Sequence, residues 1–265
     1  MRSARGTGVR GGGDTAARLL AALGRFHDAR PWDHNAHYHR AVLRRLPRRF
    51  GLALDVGCGS GDLARLLARR ADAVTGIDTD PGIVAKARAA TPEAVPVAFA
   101  TADALDEEAA PGPYTVVTCV AALHHLPLAE ALAAFRARLI PGGTLVIVGL
   151  YREETLADRA VSLLAVVANT AVAWWKHPGG GRVPRPLAMT APTRPATTGL
   201  AEIRRTAARV LPGARVRRRL LWRYVLVWRR PERPTAPPPP GSARAKAPTR
   251  RGGSRTSGSS RAGPS

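Results

Sequence analysis

The sequence predicts an α/β domain, an open parallel sheet with helices on both faces. Three observations carry this reading. Five short runs rich in β-branched residues recur through the middle of the chain: Leu52–Val56, Ala73–Asp78, Val95–Ala100, Tyr114–Val120 and Thr144–Leu150. Near-continuous apolar strands of this kind are buried on both faces. Helical stretches, Asp62–Arg70, Pro81–Ala90 and Leu128–Leu139, separate most of them. Gly57, Gly59 and Gly61 close the first run just ahead of the first of these helices, at the strand ends where such sheets bind ligands.

Taken in order, the first element is weak. The opening MRSARGTGVRGGGD offers almost nothing to bury, so residues 1–30 read as a flexible segment, with a short helix over Thr15–Phe26. Next comes WDHNAHYHR, Trp32 to Arg40, which packs three histidines, an aspartate, an asparagine and a tyrosine into nine residues. It leads into the helical AHYHRAVLRRLP, where Asp33 and His37, or His34 and Tyr38, stand four apart and would share a face. Three readings are open: a metal site, a pocket wall or an exposed helix start. A metal needs at least two of these histidines and a carboxylate to converge on one ion, and no metal is expected.

The first strand runs into LDVGCGSGDLARLLA. Glycines there permit a tight turn and let a ligand approach the backbone, and the following helix N-terminus suits an anionic group. The nicotinamide fingerprint is G-x-G-x-x-G, whereas here the third glycine comes one residue early and Asp55 stands two residues before the first. The second strand ends GIDTD, which puts Asp78 about twenty residues past the glycines, where an acidic side chain reaches ribose hydroxyls. The third leads into TADALD with Asp103, and the fourth ends TCVAALHHLP. Four strand ends thus bring a nucleoside-shaped set of contacts to one crevice.

Beyond the fifth strand, Val161–Trp175 is apolar enough to raise a membrane span. Asn169 and Thr170 interrupt it, and it falls short of the ~18–20 residues a span needs. A buried or cap helix is expected, with interfacial membrane contact beside Trp174, Trp175 and Lys176 as the rival. The Gly/Pro-rich HPGGGRVPRP that follows is expected to be a mobile loop near the substrate site. From Pro231 the chain is Pro/Ser/Gly/Arg low complexity, expected as a disordered basic tail over 231–265.

Charge is lopsided. Residues 1–158 carry 19 Lys and Arg against 17 Asp and Glu, while residues 159–265 carry 22 against 2. A basic half hints at an anionic partner. Lysine occurs only at 86, 176 and 246, however, and an arginine-, alanine-, glycine- and proline-rich chain is also what high-GC coding produces. Two cysteines allow at most one disulfide, and no charged-then-apolar leader opens the chain, so a cytoplasmic location is expected.

LDVGCGSG, GIDTDPGIV, TADA, ALHHLP and LIPGGTLVIVG, in that order over Leu52–Leu150, resemble the class I S-adenosylmethionine-dependent methyltransferases. The resemblance implies a Rossmann-like, doubly wound sheet of seven strands, mostly parallel, whose last two form an antiparallel hairpin. Ala214–Leu220 and Arg223–Trp228 supply that hairpin. It also implies a methyltransferase domain over 31–230 with an N-terminal helical cap. By analogy Asp55, Gly57 and Gly59 frame the methionyl group of S-adenosylmethionine, Asp78 with Thr79 holds the ribose, and Asp103 with Ala104 meets the adenine. Cys58 and Cys119 stand at strand ends near the same crevice and join the cofactor set, although thiols there also read as small buried hydrophobes. His124 and His125 are the candidates for a catalytic base, with helix packing as the competing role. The segment before the first strand folds over the crevice in such enzymes, so His37 and Tyr38 become the expected substrate or lid residues. The function implied is methyl transfer to O or N of a small molecule, without a transmembrane segment. A nucleic-acid methyltransferase using the basic half, and a non-catalytic S-adenosylmethionine-binding protein, are the rivals; the N-P-P-Y-type segment of base-amino methylation is absent from the fourth strand.

Overall fold

The computed structural model describes residues 12–29, 33–177 and 194–232. Trp32, most of the expected Gly/Pro loop and the expected tail from 233 lie outside them. Strands β1 (Phe50–Val56), β2 (Ala71–Asp78), β3 (Val97–Thr101), β4 (Tyr114–Val120), β5 (Leu139–Leu150), β6 (Arg215–Arg219) and β7 (Arg223–Arg229) form one sheet, in the order β3-β2-β1-β4-β5-β7-β6. The first five pair in parallel, while β7 runs antiparallel to β5 and β6 to β7. The chain builds outward from β1 to β3, then returns to β1's other side with β4. That reversal opens a crevice at the carboxyl ends of β1 and β4.

Alternation along each strand divides the core in two. Leu54, Val117, Leu145, Ile147 and Leu226 point to one face, where Leu132 and Phe135 of α5 (Leu128–Arg138) and Ile203 and Ala207 of α7 (Leu200–Val210) cover them. Ala53, Val116, Val146 and Val148 point to the other, which is covered from three helices: Tyr38 and Val42 of α2 (His34–Leu43), Leu63 and Leu67 of α3 (Asp62–Ala68), and Val84 and Ala87 of α4 (Pro81–Ala89). Period-two apolar strands therefore become a sheet buried on both sides.

The boundaries move for local reasons. β3 starts at Val97 rather than Val95, because Val95 closes a turn onto the Pro92 carbonyl at 3.0 Å. β5 starts at Leu139 because Leu139 already pairs with Tyr114, before an irregularity ahead of the Val116–Thr144 pair. At the N-terminus the expected short helix is α1 (Gly12–Ala29), 18 residues long. Its His27 Nε2 lies 3.2 Å from both Thr170 Oγ1 and Asn169 Nδ2.

Those two partners sit on α6 (Leu156–Lys176), which corrects the expectation for the apolar stretch in two respects, its length and the buried alternative. A capping box starts the helix early: Asp158 N donates to Thr155 Oγ1, and Thr155 N to the Asp158 carboxylate at 2.9 Å. The result is 21 residues rather than fifteen, so the argument from insufficient length fails. Nor is α6 a buried core helix. Among its residues Asp158, Ala165, Asn169 and Ala173 are buried, whereas Leu163, Leu164, Val167 and both tryptophans are exposed.

Candidate active site

β1 ends at Asp55 and Val56, and three glycines turn the chain into α3, each in the left-handed region. They do different things. A Cβ on Gly57 (φ +67) would stand 2.3 Å from the Ala122 Cβ, so this glycine lets the loop pass the end of β4. On Gly61 (φ +76) it would meet the Phe99 ring at 2.6 Å. On Gly59 (φ +52) it would meet no protein atom within 4 Å, because this backbone faces open space. The loop is latched to β2: Gly57 N and Cys58 N both donate to the Ile77 carbonyl, and Gly59 N donates to Asp78 Oδ2 at 2.9 Å. Asp78 Oδ1 accepts from Asp80 N at 3.1 Å. Each carboxylate oxygen keeps a lone pair for a further donor.

A cavity of about 510 Å³ opens over this loop. Asp55, Gly57, Cys58, Gly59, Asp78, Thr79, Asp103 and Ala104 all line it. Asp55 is almost wholly buried and accepts from Thr118 Oγ1 at 2.7 Å; burial pushes its carboxyl up to about 7, against the pull of that hydrogen bond. Asp103 Oδ1 accepts from Leu105 N at 2.8 Å, an Asx turn that shapes the β3 end of the cavity.

The other half is built from β4, β5, β7 and α2. β4 is followed by Ala121, a non-glycine residue at φ +55, and a 3₁₀ turn, Leu123–His125, carries the two histidines into the cavity. The His124 ring nitrogens are buried and neither makes a hydrogen bond of good geometry, although the Arg194 backbone lies close. Burial, with help from His125 and the Arg223 charge, pulls His124 down to about 4, so it is neutral at physiological pH. His125 is more exposed, its ring centroid 4.0 Å from that of His124, and is lowered by burial and by Arg194. Arg223 enters because β7 runs antiparallel: its first residue pairs with Leu150, the last of β5, and so arrives at the carboxyl end of the parallel strands. The guanidinium is buried, donates to Asn35 Oδ1 at 2.9 Å, and keeps its Nε unpartnered.

Three expected site residues are placed elsewhere. Cys119 is fully buried in the core, its thiol pushed up to about 12 by burial, and does not line the cavity. His37 is exposed and Tyr38 is turned into the sheet, its hydroxyl donating to the Leu220 carbonyl at 2.6 Å. The face of α2 that reaches the cavity carries Asn35 and His39, four apart, with Asp33 as the helix N-cap beside them. The correction has a physical cause: the Tyr38 ring belongs to the apolar core, and that fixes the rotation of the helix. Among the described residues, no three His, Cys, Asp or Glu side chains gather as a metal would need.

Residues 53–143 match the family model described as a methyltransferase domain. An uncharacterized methyltransferase of Mycobacterium tuberculosis is 32% identical over 206 residues, which cover 76% of this chain and 98% of the relative. The chain belongs to the class I S-adenosylmethionine-dependent methyltransferases. The methyltransferase is also 40% identical over 106 residues to a ubiquinone biosynthesis O-methyltransferase of Sodalis glossinidius, spanning 38% of this chain and 43% of that enzyme. In fold it is similar to the N-methyltransferase NodS from Bradyrhizobium japonicum, solved in complex with S-adenosyl-L-homocysteine (TM-score 0.51, 18% identity, 80% of this chain and 98% of that one).

The residues present in the methyltransferase fit a nucleoside cofactor. Gly59 opens its backbone toward the cavity, and Asp78 offers free acceptor capacity at the ribose position of such folds. Arg223, Asn35, His39 and Arg194 line the same cavity; Asn35 and His39 fall in the Trp32–Arg40 stretch but were not singled out, and the two arginines went unnoticed in the sequence. Arg223 is one arginine in a chain with 41 Lys and Arg; its only signal was its place at the start of the last strand.

Proposed function

We propose that this enzyme transfers a methyl group from S-adenosylmethionine to an oxygen or nitrogen of a small molecule, and that the acceptor carries an acidic group. The observation supporting this is the pair of unsatisfied groups on the β4–β5–β7 half, the His124 ring nitrogens and Arg223 Nε. Buried polar atoms without partners are rare, and a ligand is one of the few things that satisfies them.

When bound, S-adenosylmethionine supplies an electrophilic methyl for in-line displacement. On this reading Asp78 accepts from the ribose hydroxyls, Asp103 and Ala104 border the adenine, and Asp55 with the glycine loop borders the methionyl group. His124, held neutral, accepts the acceptor's proton or a hydrogen bond from it; with its basicity depressed, it serves a nucleophile that is itself acidic. Arg223 favours the ionised form of such a nucleophile, or anchors a neighbouring carboxylate. Both cysteines are buried free thiols, which suits the cytoplasm we propose as its location. The shallow groove lined by Arg45, Arg215, Arg217 and Arg219 shares no residue with the cavity, so it lends no direct support to a nucleic-acid acceptor there.

Calorimetric titration with S-adenosylhomocysteine, then a screen of phenols, hydroxy acids and amino acids for S-adenosylhomocysteine release, tests the reading. Arg223→Gln should raise KM for the acceptor at least tenfold and leave cofactor affinity unchanged. Turnover confined to uncharged acceptors would refute the acidic-group assignment.

A further inference from the structure

α6 is built inside out. Its inward side holds Asp158, Asn169 and Thr170, tied to Arg218 and His27. Its outward side carries Leu156 (80% exposed), Leu163, Leu164, Val167, Trp174 and Trp175. At 3.6 residues per turn, positions 156, 163, 167 and 174 form one stripe. Ala160 and Ala171 fill the turns between them and are also exposed, so no charge interrupts the stripe. The helix is ~31 Å long, and only 22% of its most apolar stretch is buried.

We propose that this stripe lies in the surface of a membrane that contains anionic phospholipid. Trp174, Trp175 and Lys176 end the helix with two aromatic rings and a cation, the chemistry of the headgroup boundary. Positive charge continues from there. The Lys176 charge acts on His37 of α2, and the next residue, Tyr38, donates its hydroxyl to the carbonyl of Leu220, which follows Arg219, at 2.6 Å. Arg219 then opens the groove that Arg45, Arg217 and Arg215 complete, with no carboxylate among its lining residues. An anionic surface meets both the stripe and these cations. A second copy of the chain meets only the stripe, and two chains of formal charge +22 repel one another. The inward polar face anchors the helix to the domain, so the membrane is met from one side and not crossed.

The test uses the full chain and vesicles of phosphatidylcholine, with and without phosphatidylglycerol. At low salt the chain should float with the phosphatidylglycerol vesicles and much less with phosphatidylcholine alone, and part of the binding should survive high salt, where attraction of a polycation alone is screened. Nitroxide-labelled acyl chains should quench part of its tryptophan emission. The exposed double substitution Leu163→Gln, Val167→Gln should lower partitioning at least tenfold while S-adenosylhomocysteine affinity stays the same. Absence of flotation, equal flotation of the double variant, or a dimer that the double variant takes apart would each overturn the proposal. Should the double variant bind S-adenosylhomocysteine poorly, the quenching in the unsubstituted chain decides: no quenching, no insertion.

Discussion

Asp78 is the residue that the sequence singled out most sharply, an acidic side chain about twenty residues past the glycines. In the structure its carboxylate latches the glycine loop to the end of β2, each oxygen accepting from one backbone donor. Asp78→Ala should weaken S-adenosylmethionine binding by about 1.5–3 kcal/mol, the loss of charge-assisted hydrogen bonds, as read by calorimetry. What the sequence could not reveal is protonation. Asp55 is raised to about 7 by burial, so its contribution to apo stability is full below about pH 4 and is lost as pH rises toward 7. His124 is depressed to about 4, so its contribution is present above about pH 6.5 and is lost as pH falls toward 4. The two slopes oppose each other across one window. Urea unfolding at several pH values should therefore show Asp55→Asn becoming relatively more stable than the parent as pH rises from 4 to 7. His124→Gln should become relatively more stable as pH falls through the same range. Flat differences would mean that neither group titrates abnormally.

Elements were legible where periodicity alone sets them and opaque where packing decides. β4 falls on the expected residues because nothing but its apolar run defines it. α2 was expected as a helix, yet Asn35 and His39 face the cavity where His37 and Tyr38 had been expected, because its rotation depends on where one tyrosine ring packs. The β6–β7 turn carried no sequence signal either: Leu221 and Trp222 take φ +59 and +58, a region that ordinarily draws glycine or asparagine. In the glycine loop, spacing revealed the turn but not the division of labour within it. Gly57→Ala puts a methyl against Ala122 at φ +67 and should destabilise the fold by about 2–4 kcal/mol in urea, strain and overpacking together. Gly59→Ala meets open space, so only the left-handed strain of about 1–2 kcal/mol applies to stability. Its methyl projects where a ligand approaches, and cofactor affinity should fall at least tenfold. If both substitutions acted on stability alone, the loop would be a turn and not a cradle.

At the scale of the molecule, the question the sequence left open was what the positive charge is for. Residues 159–265 carry 22 basic against 2 acidic side chains, and two of those arginines, Arg194 and Arg223, line the cavity. Every residue lining the cavity lies between Asp33 and Arg223, and the chain divides into two units after Glu232. A chain ending at Glu232 should therefore fold, titrate with S-adenosylhomocysteine at unchanged affinity and turn over a small acceptor at the parent rate. Binding to a random duplex at low salt would fall, but that is the loss expected of any polycation and says nothing about the acceptor. The informative comparison is between activities: a truncated enzyme that binds cofactor fully yet no longer transfers methyl would place the acceptor on the tail, and a nucleic acid would then be the better substrate. The vesicle measurement separates the same two roles. Electrostatic attraction by the tail fades with salt, whereas burial of Leu163, Val167 and Trp174 in lipid does not. The truncated chain should thus bind anionic vesicles more weakly at low salt and keep the high-salt part, because α6 and the groove of Arg45, Arg215, Arg217 and Arg219 are untouched by the deletion.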